Sequence, residues 1–251
     1  MEAYSADRSL KGKLRRRMAR LQARRPAARG PGQPMVSISF DDAPVSAAET
    51  GAAILEARGV HGTWFICMGL AGQDGPMGAN ASADQVKSLM AAGHEIGCHT
   101  FSHLDCGQAP AGLVTGDVEQ NRVALEALGV PEPQSFAYPY GEVCAPAKAA
   151  LGARFGLLRA LHHGLIGQGC DLNQAPAVGI EGPNGEAVAR GWLTRALAER
   201  AWLILYTHDV RPDPSPFGCT PAALERLVDA AIAGGAEVVT VAEGLRRIGA
   251  L

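Results

Sequence analysis

The alternation of β-rich apolar segments with helix-forming segments constrains the fold of this chain more than any other feature. Capping boxes mark helix starts between the apolar segments, and Gly or Pro marks helix ends. Seven strands are predicted, at residues 35–40, 62–68, 95–99, 135–138, 155–158, 202–206 and 236–241. Strands separated by helices pair in parallel through right-handed crossovers. The sequence therefore predicts an α/β fold, and about seven such units favour a closed or nearly closed barrel over an open sheet.

The charge of the chain is divided unevenly between its N-terminal segment and the remainder. Residues 1–30 carry ten Lys or Arg and two acids, whereas the remainder carries thirteen basic and twenty-three acidic residues. A basic tail on an acidic body is typical of an interaction segment. We therefore predict a basic N-terminal extension and linker over residues 1–34, and a separate domain over residues 35–251.

A basic helix is predicted inside this extension, over residues 10–25, with its apolar side chains roughly along one face: Leu10, Leu14, Met18 and Leu21. Two interpretations remain open. The segment is either a solvated tail or a helix that lies on an anionic membrane surface, which attracts Lys and Arg. Nucleic-acid binding is not expected, because the acidic remainder of the chain would repel phosphates.

The sequence lacks the hydrophobic segments that direct a protein into or across a membrane. No apolar run approaches the roughly 20 residues that cross a bilayer. The basic N-terminus is not followed by the apolar stretch of a signal peptide. We therefore expect a cytoplasmic protein, located at the inner membrane surface if the basic helix binds lipid. The six cysteines form no CxxC pair and are predicted to be free thiols.

Polar side chains that can carry out chemistry follow the predicted strands at the points where they end. The first strand is followed by Asp41 and Asp42, the third ends in His99, and the sixth leads into His208. The fourth leads into the segment Tyr-Pro-Tyr-Gly at residues 138–141. In a parallel barrel, the carboxyl ends of all strands lie on one face, where active sites are found. These separate clusters are therefore expected to meet in space.

His99 and His103 lie four residues apart, so a helical turn after the strand would place both imidazoles on one face. Two His and the carboxylate of Asp42 would leave coordination positions open for water and substrate, as a catalytic metal site requires. A pair of surface histidines is the alternative for the His pair, and a turn or helix cap is the alternative for the Asp pair. Their combination at neighbouring strand ends favours the metal site.

Four segments, in order along the chain, carry a resemblance to a known family. They are Ser-Phe-Asp-Asp-Ala at 39–43, His-Thr-Phe-Ser-His at 99–103, Pro-Tyr-Gly at 139–141 and Leu-Ile-Leu-Tyr-Thr-His at 203–208. The sequence resembles the polysaccharide deacetylases with a NodB homology domain, carbohydrate esterase family 4. The resemblance implies a distorted (β/α)7-type barrel. It also implies a catalytic domain over residues 35–251.

The resemblance further implies a divalent metal ion, held by Asp42, His99 and His103. Zinc is expected, with cobalt, nickel or manganese as alternatives. Asp42 would supply the oxygen ligand and the two imidazoles the nitrogen ligands.

The resemblance assigns catalytic roles to three further residues. Asp41 would act as the general base, His208 as the general acid, and the backbone N–H of Tyr140 would help to hold the oxyanion. This division suits amide hydrolysis, in which a carboxylate can take a proton from water and the amine must be protonated before it leaves. Oxyanion stabilisation is often the largest single contribution to such a reaction.

Three positions depart from the family pattern. Ala137 stands where the family has an Arg that pairs with the base, and Arg159 is the candidate substitute, with an ordinary surface Arg as the alternative. The family's Asp-Trp motif is not clearly present, and Asp171 is the candidate for orienting the catalytic His. Ala43 replaces a Gly after the metal-binding Asp. Pro139, Arg159 and Asp171 are also predicted to contact substrate.

Three functions remain open from the sequence. The first is a metal-dependent hydrolase that removes an N-acetyl group from an amino-sugar-containing saccharide or its precursor. The second is a deformylase or other small-amide hydrolase on the same scaffold, since the same fold supports many activities. The third is a catalytically inactive carbohydrate-binding domain, which the missing Arg would permit. A saccharide substrate is the expected partner.

Overall fold

In a computed structural model, which describes residues 9–251 apart from the side chain of Lys11, strands and helices alternate as predicted. The strands are β1 (Met35–Asp41), β2 (Thr63–Ile66), β3 (Asp74–Gly75), β4 (Gly78–Ala79), β5 (Glu95–Cys98), β6 (Ser135–Ala137), β7 (Leu157–Arg159), β8 (Val178–Gly179), β9 (Trp202–Thr207) and β10 (Glu237–Val238). The helices are α1 (Leu10–Leu21), α2 (Ala52–Glu56), α3 (Ala83–Ala91), α4 (Ala111–Glu126), α5 (Ala145–Gly152), α6 (Gly185–Glu199), α7 (Pro221–Ala233) and α8 (Val241–Arg247).

The main sheet is parallel and curls into a nearly closed barrel. Its strand order is β7-β6-β5-β2-β1-β9-β8, and β10 pairs with the start of β1. One segment links the two edges, because Ala175 forms a parallel bridge with Arg159 on β7 and Val178 pairs with Leu205 on β9. The predicted distorted (β/α) barrel is confirmed. The antiparallel pair β3 and β4 lies outside this sheet.

The core has an outer layer between sheet and helices and an inner layer within the barrel. Phe40 on β1 stacks on Trp64 on β2 at 4.5 Å between ring centroids, in the outer layer. Every residue of β1 is buried, as expected for a parallel strand covered on both faces. Because side chains alternate between the two faces of a strand, Asp41 points to the face opposite Phe40. The last residue of β1 thus directs a carboxylate into the barrel.

Some predicted boundaries differ from the structure for identifiable reasons. The helical segment that follows β1 begins with a π-helical turn, Ala47–Gly51, before α2. The predicted last strand is shortened to β10, because Thr240 caps α8 and ends the extended segment. The strand β8 was not predicted, since two residues are too short to show an alternating pattern.

The described part of the N-terminal extension packs against the barrel. Helix α1 ends at Leu21, earlier than predicted, and Ala19 on it is fully buried. The fully buried ammonium of Lys148 on α5 donates to the carbonyl of Ala19 at 2.7 Å and to Asp171 at 2.6 Å. The backbone N–H of Ala27 donates to the carbonyl of Cys170 at 2.8 Å. A solvated tail is therefore wrong for these residues, whereas residues 1–8 lie outside the described part.

None of the helices between Ser9 and Leu251 is both long and apolar enough to span a bilayer. The cysteines in this range are free, as predicted, and four of them are buried: Cys67, Cys98, Cys106 and Cys219.

Candidate active site

The residues predicted to act together lie at one end of the barrel, past the carboxyl ends of the strands. Asp41 ends β1, and Asp42 follows it directly. His99 follows β5, Arg159 ends β7, and His208 follows β9. The parallel sheet brings these strand ends to one face, where barrel enzymes place their active sites.

The three predicted metal ligands converge in the structure. Nε2 of His99 lies 3.6 Å and Nε2 of His103 lies 3.5 Å from the same oxygen, Oδ1 of Asp42. Their candidate ligand atoms all lie within 4.8 Å of one another. A tetrahedral ion with bonds of about 2.0–2.1 Å separates its ligand atoms by roughly 3.3 Å. The spacing therefore matches what one divalent ion requires.

Two further features of these ligands fit a metal ion. Oδ1 of Asp42 is buried and has no hydrogen-bond partner within residues 9–251, which is costly for an oxygen unless something binds it. Nδ1 of His99 lies 2.8 Å from the carbonyl oxygen of Ala137, to which it donates, so that Nε2 faces Asp42 as an acceptor. Burial lowers the pKa of His99 to about 4, which keeps the imidazole neutral and able to bind a cation near pH 7.

The segment from His99 to His103 is held by a carboxylate on α4 that the sequence did not reveal. Asp117 accepts hydrogen bonds from the backbone N–H of Phe101 at 2.6 Å, from that of Ser102 at 3.1 Å, and from the Ser102 hydroxyl at 2.7 Å. The helical turn that would place both imidazoles on one face is absent from this segment. Thr100 and His103 adopt left-handed backbone conformations instead, and these bring the imidazoles to 5.0 Å between ring centroids.

Left-handed backbone conformations are concentrated at this site. Of the seven non-glycine residues with positive φ between Ser9 and Leu251, five belong to it: Asp42, Ala43, Thr100, His103 and Tyr140. Each such residue costs on the order of 1–3 kcal/mol and persists only where the surroundings hold it in place. Their clustering indicates a site whose geometry is maintained at the expense of stability.

Asp41 is paired with the arginine that the sequence suggested as a substitute. Arg159 is fully buried, and its Nη2 donates to both carboxylate oxygens of Asp41. Burial raises the pKa of Asp41, but the charge of Arg159 opposes it and the pKa is lowered overall, so the carboxylate is ionised. The guanidinium lies against the rings of Phe65 at 5.2 Å and Tyr206 at 5.0 Å.

The register of the sheet accounts for how an arginine on β7 reaches Asp41. Ala137, at the position where the family has Arg, pairs directly with Arg159 on the neighbouring strand β7. The small side chain of Ala137 leaves room for a long side chain to reach Asp41 from β7. Full burial of Arg159 also removes it from contact with substrate, contrary to the second role predicted for it.

His208 is oriented by Glu181, which follows β8, and not by Asp171. Nδ1 of His208 lies 2.9 Å from Oε1 of Glu181. Burial alone would lower the pKa of His208, but the hydrogen bond with Glu181 and the charges of Asp41 and Asp42 raise it to about 9. His208 is therefore protonated near neutral pH, as a general acid must be.

Asp171 lies apart from this arrangement and has a structural environment. Its carboxylate accepts hydrogen bonds from Lys148 at 2.6 Å and from the backbone N–H of Arg25 at 2.9 Å. It also accepts the backbone N–H of Asn173 at 3.1 Å. These contacts attach the N-terminal extension to the barrel. The predictions that Asp171 orients His208 and contacts substrate are therefore corrected.

Pro139 and Tyr140 lie in a short 3₁₀ turn, Pro139–Gly141, after β6. Pro139, the first residue of the turn, is buried, so little of its surface is available for the predicted contact with substrate. The ring of Tyr140 packs edge-on against His103 at 4.5 Å between centroids. The turn thus borders the metal-ligand cluster directly.

Comparison with known proteins identifies a related family and a related set of structures. The sequence profile of the family described as polysaccharide deacetylase matches residues 28–156, just over half of the chain. A chitin deacetylase from Pestalotiopsis sp is 32% identical over 117 residues. That match covers 46% of this chain and 37% of the relative, so the similarity spans little more than a third of that protein.

Solved structures share the fold over a larger part of the chain. A putative polysaccharide deacetylase from Mycobacterium smegmatis superposes with a TM-score of 0.70 at 19% identity, covering 90% of this chain and 95% of that one. The chitin deacetylase from the fungal pathogen Colletotrichum lindemuthianum gives 0.63 at 19% identity, covering 86% and 89%. At such identities the likeness shows the fold alone.

Proposed function

Because the chain belongs to the polysaccharide deacetylase family, carbohydrate esterase family 4 with its NodB homology domain, we propose that it is a metal-dependent hydrolase. It removes an N-acetyl group from an amino-sugar-containing saccharide or its precursor, and residues 35–251 form the catalytic domain. One observation carries the proposal. The ligand atoms of Asp42, His99 and His103 converge next to an ionised Asp41 and a protonated His208.

In this proposal Asp42, His99 and His103 hold a divalent ion, with zinc favoured by the two nitrogen ligands and one oxygen ligand. Cobalt, nickel and manganese are alternatives with overlapping preferences. When bound, the ion supplies a Lewis acid that polarises the acyl carbonyl and lowers the pKa of water.

The remaining steps fall to side chains and backbone of this chain. Asp41, kept ionised by Arg159, takes a proton from the attacking water. The backbone N–H of Tyr140 donates to the oxyanion of the tetrahedral intermediate. His208, held through Nδ1 by Glu181, gives its Nε2 proton to the leaving amine. The base and the acid thus start in the ionisation states that each step requires.

The test is acetate release from N-acetylated chito-oligosaccharides by the zinc-loaded protein. Asp41→Asn should reduce turnover by about 10³-fold while zinc content is unchanged, because only the base is lost. His103→Ala should lose both zinc and turnover. Asp84→Asn, an exposed carboxylate on α3, is the matched control and should change neither.

Two results would replace the proposal with one of its alternatives. Release of formate from an N-formyl sugar, without release of acetate from the N-acetyl sugar, would indicate a deformylase. Binding of N-acetyl sugars without hydrolysis, with Asp41→Asn equal to the wild type, would indicate an inactive carbohydrate-binding domain.

We also propose that α1 makes peripheral contact with an anionic membrane. Leu10 is 85%, Leu14 60% and Leu21 64% exposed, and they lie on the helix face opposite the buried Ala19. The exposed Lys13 and Arg17 flank this apolar stripe. An apolar stripe with basic flanks is the pattern of helices that lie in a lipid interface.

Cosedimentation with vesicles tests this contact. The protein should pellet with phosphatidylcholine vesicles that contain phosphatidylglycerol, and much less with phosphatidylcholine alone, because the basic flanks require anionic lipid. Leu14→Asp should release it, whereas Leu113→Asp, an equally exposed leucine on α4, should not. Equal effects of the two substitutions would contradict the contact.

A further inference from the structure

A groove with two adjoining parts lies along the N-terminal extension, and its near part reaches the turn that borders the metal ligands. Its near part has a volume of about 190 Å³ and is bordered by Tyr140 and Gly141, in the turn beside the metal ligands. Its far part, of about 820 Å³, runs between the N-terminal extension and the segment around His163. The two parts share the lining residues Arg20, His162 and Gln174, so they adjoin each other. Cavities of roughly 300–1,000 Å³ are typical of small-molecule sites.

Arginines at regular spacing line one wall of this groove. Arg16 and Arg20 lie one helical turn apart on α1, and Arg24 follows shortly after the helix ends. Residues four apart on a helix share a face, so the first two point to the same side. His162 and His163 stand on the groove wall as well. The wall is therefore rich in groups that bind anions.

Acidic side chains lie within ion-pair distance of Arg16 and Arg24, but none within residues 9–251 pairs with Arg20. Asp171 is already bound by the buried Lys148 at 2.6 Å, and Arg24 approaches it only to 3.9 Å. Glu142 lies 3.7 Å from Arg16. Arg20, at the junction of the two parts, makes no hydrogen bond or ion pair within residues 9–251. Burial, and then the charge of Arg20, lower the pKa of His162, while the charge of Asp171 raises it.

We propose that this groove binds an anionic group of the saccharide substrate, a carboxylate or a phosphate, attached beyond the acetamido sugar whose amide is cleaved at the metal site. The inference rests on the proposed function for the position of the cleaved sugar. Arginine is suited to this task because its planar guanidinium binds both carboxylate and phosphate through two parallel hydrogen bonds. Arg20 is the residue that carries most of the preference, because no other group in the described part of the chain engages its guanidinium.

The experiment compares three probes on the zinc-loaded full-length protein by calorimetric titration. Chitotetraose is the neutral probe, a hyaluronan tetrasaccharide carries carboxylates, and UDP-N-acetylglucosamine carries phosphates. Arg20→Glu should weaken binding of at least one charged probe about tenfold and leave chitotetraose unchanged, since one bidentate contact is lost. The affected probe identifies the source of the anion. Raising the salt concentration should weaken the same probe.

Arg17→Glu is the matched control, because it makes the same charge change on α1 at a residue outside the groove. It should leave all three affinities unchanged, and the milder Arg20→Gln should give a smaller loss than Arg20→Glu. Circular dichroism confirms that each variant is folded. Three results would each overturn the proposed anion site. They are equal effects of Arg17→Glu and Arg20→Glu, an equal loss of affinity for neutral and charged probes, and no measurable binding of either charged probe.

Acetate release separates this inference from the proposed function. If chitotetraose is deacetylated but Arg20→Glu weakens the binding of charged and neutral probes equally, the proposed anion site is wrong and the proposed activity stands. If no probe is deacetylated but Arg20→Glu selectively weakens a charged one, the anion site stands and the proposed activity fails.

Discussion

The two halves of the candidate active site are built in different ways. The metal half, with Asp42, His99 and His103, lies on loops just past the strand ends, and two of these residues have left-handed backbones. The base half, with Asp41 and Arg159, lies at the ends of regular buried strands. Loops with unusual backbone conformations aim three ligand atoms at one point. Strands in fixed register instead bury an ion pair that sets the charge of the base.

The difference implies that the halves fail in different ways. A change in the base half should remove activity while the metal stays bound. A change in the loops should weaken metal binding, and activity should fall with it. Metal content and turnover, measured on the same sample, distinguish the two.

Among the residues that support the catalytic groups, the largest effect is expected for Arg159 of the buried ion pair. Arg159→Met should lower turnover by about 10²-fold and destabilise the protein by about 3–5 kcal/mol, because Asp41 is left buried without its partner. Zinc content should remain unchanged. Because Ala137 is the register partner of Arg159, adding Ala137→Arg to Arg159→Ala should restore part of the activity. Loss of zinc in Arg159→Met, or no rescue by the second arginine, would break the comparison.

A smaller effect is expected for the carboxylate that holds the histidine loop. Asp117→Asn removes the charge that accepts hydrogen bonds from Phe101 and Ser102, so the loop should hold its imidazoles less firmly. Zinc affinity should fall by roughly 10-fold, the lower end of what supporting residues contribute around metal sites. Competition with a chelator measures it. An Asp117→Asn protein with wild-type zinc affinity and reduced turnover would contradict the assignment.

Glu181→Gln should change the pH profile more than the maximal rate. The carboxylate helps raise the pKa of His208 to about 9, and His208 must be protonated to act as an acid. Turnover should therefore decline above about pH 9 in the wild type. Removing the negative charge lowers this pKa, so the alkaline limb of the profile should move to lower pH. An unchanged alkaline limb would exclude His208 as the group that titrates there.

The smallest effect is expected at Ala43, which stands in a left-handed conformation where the family has Gly. Ala43→Gly should relieve about 1–2 kcal/mol of backbone strain. Two costs offset this gain: about 0.5–1 kcal/mol from the greater entropy of the unfolded chain, and about 0.8 kcal/mol from the loss of a buried methyl group. The free energy of unfolding should therefore change by less than about 1 kcal/mol. Ala47→Gly, equally buried but helical, lacks the relief and should be less stable by about 1.5 kcal/mol in chemical denaturation.

The metal half was accessible from sequence because its residues form short local patterns. Asp42 follows a strand, and His99 and His103 have the spacing of a metal-binding pair. Their backbone conformation was not accessible, since the pattern fits a helical turn equally well. Asp117 escaped notice because it lies on a helix distant in sequence, and only the folded chain brings it under the loop.

The base half was accessible only in part. Arg159 could be proposed from its position at a strand end, but its burial depends on the register between β6 and β7. Glu181 was missed because β8 is two residues long and gives no periodic signal. The sequence instead indicates Asp171, yet Lys148 and Arg25 engage that carboxylate. The basic extension suggested a solvated tail. Its charge composition does not reveal that the buried Lys148, far away in sequence, donates a hydrogen bond to the backbone of α1.

The ammonium of Lys148 has consequences for how much of the chain can be removed. Its three donors are taken by the carbonyl of Ala19, by Asp171 and by Gln174 at 3.3 Å, and its side chain is fully buried. Proteolytic removal of the first helix would leave one of those donors without its carbonyl and open the lysine to water. Cleavage near residue 24 should therefore lower the free energy of unfolding of the barrel, because the packing around Lys148 is lost.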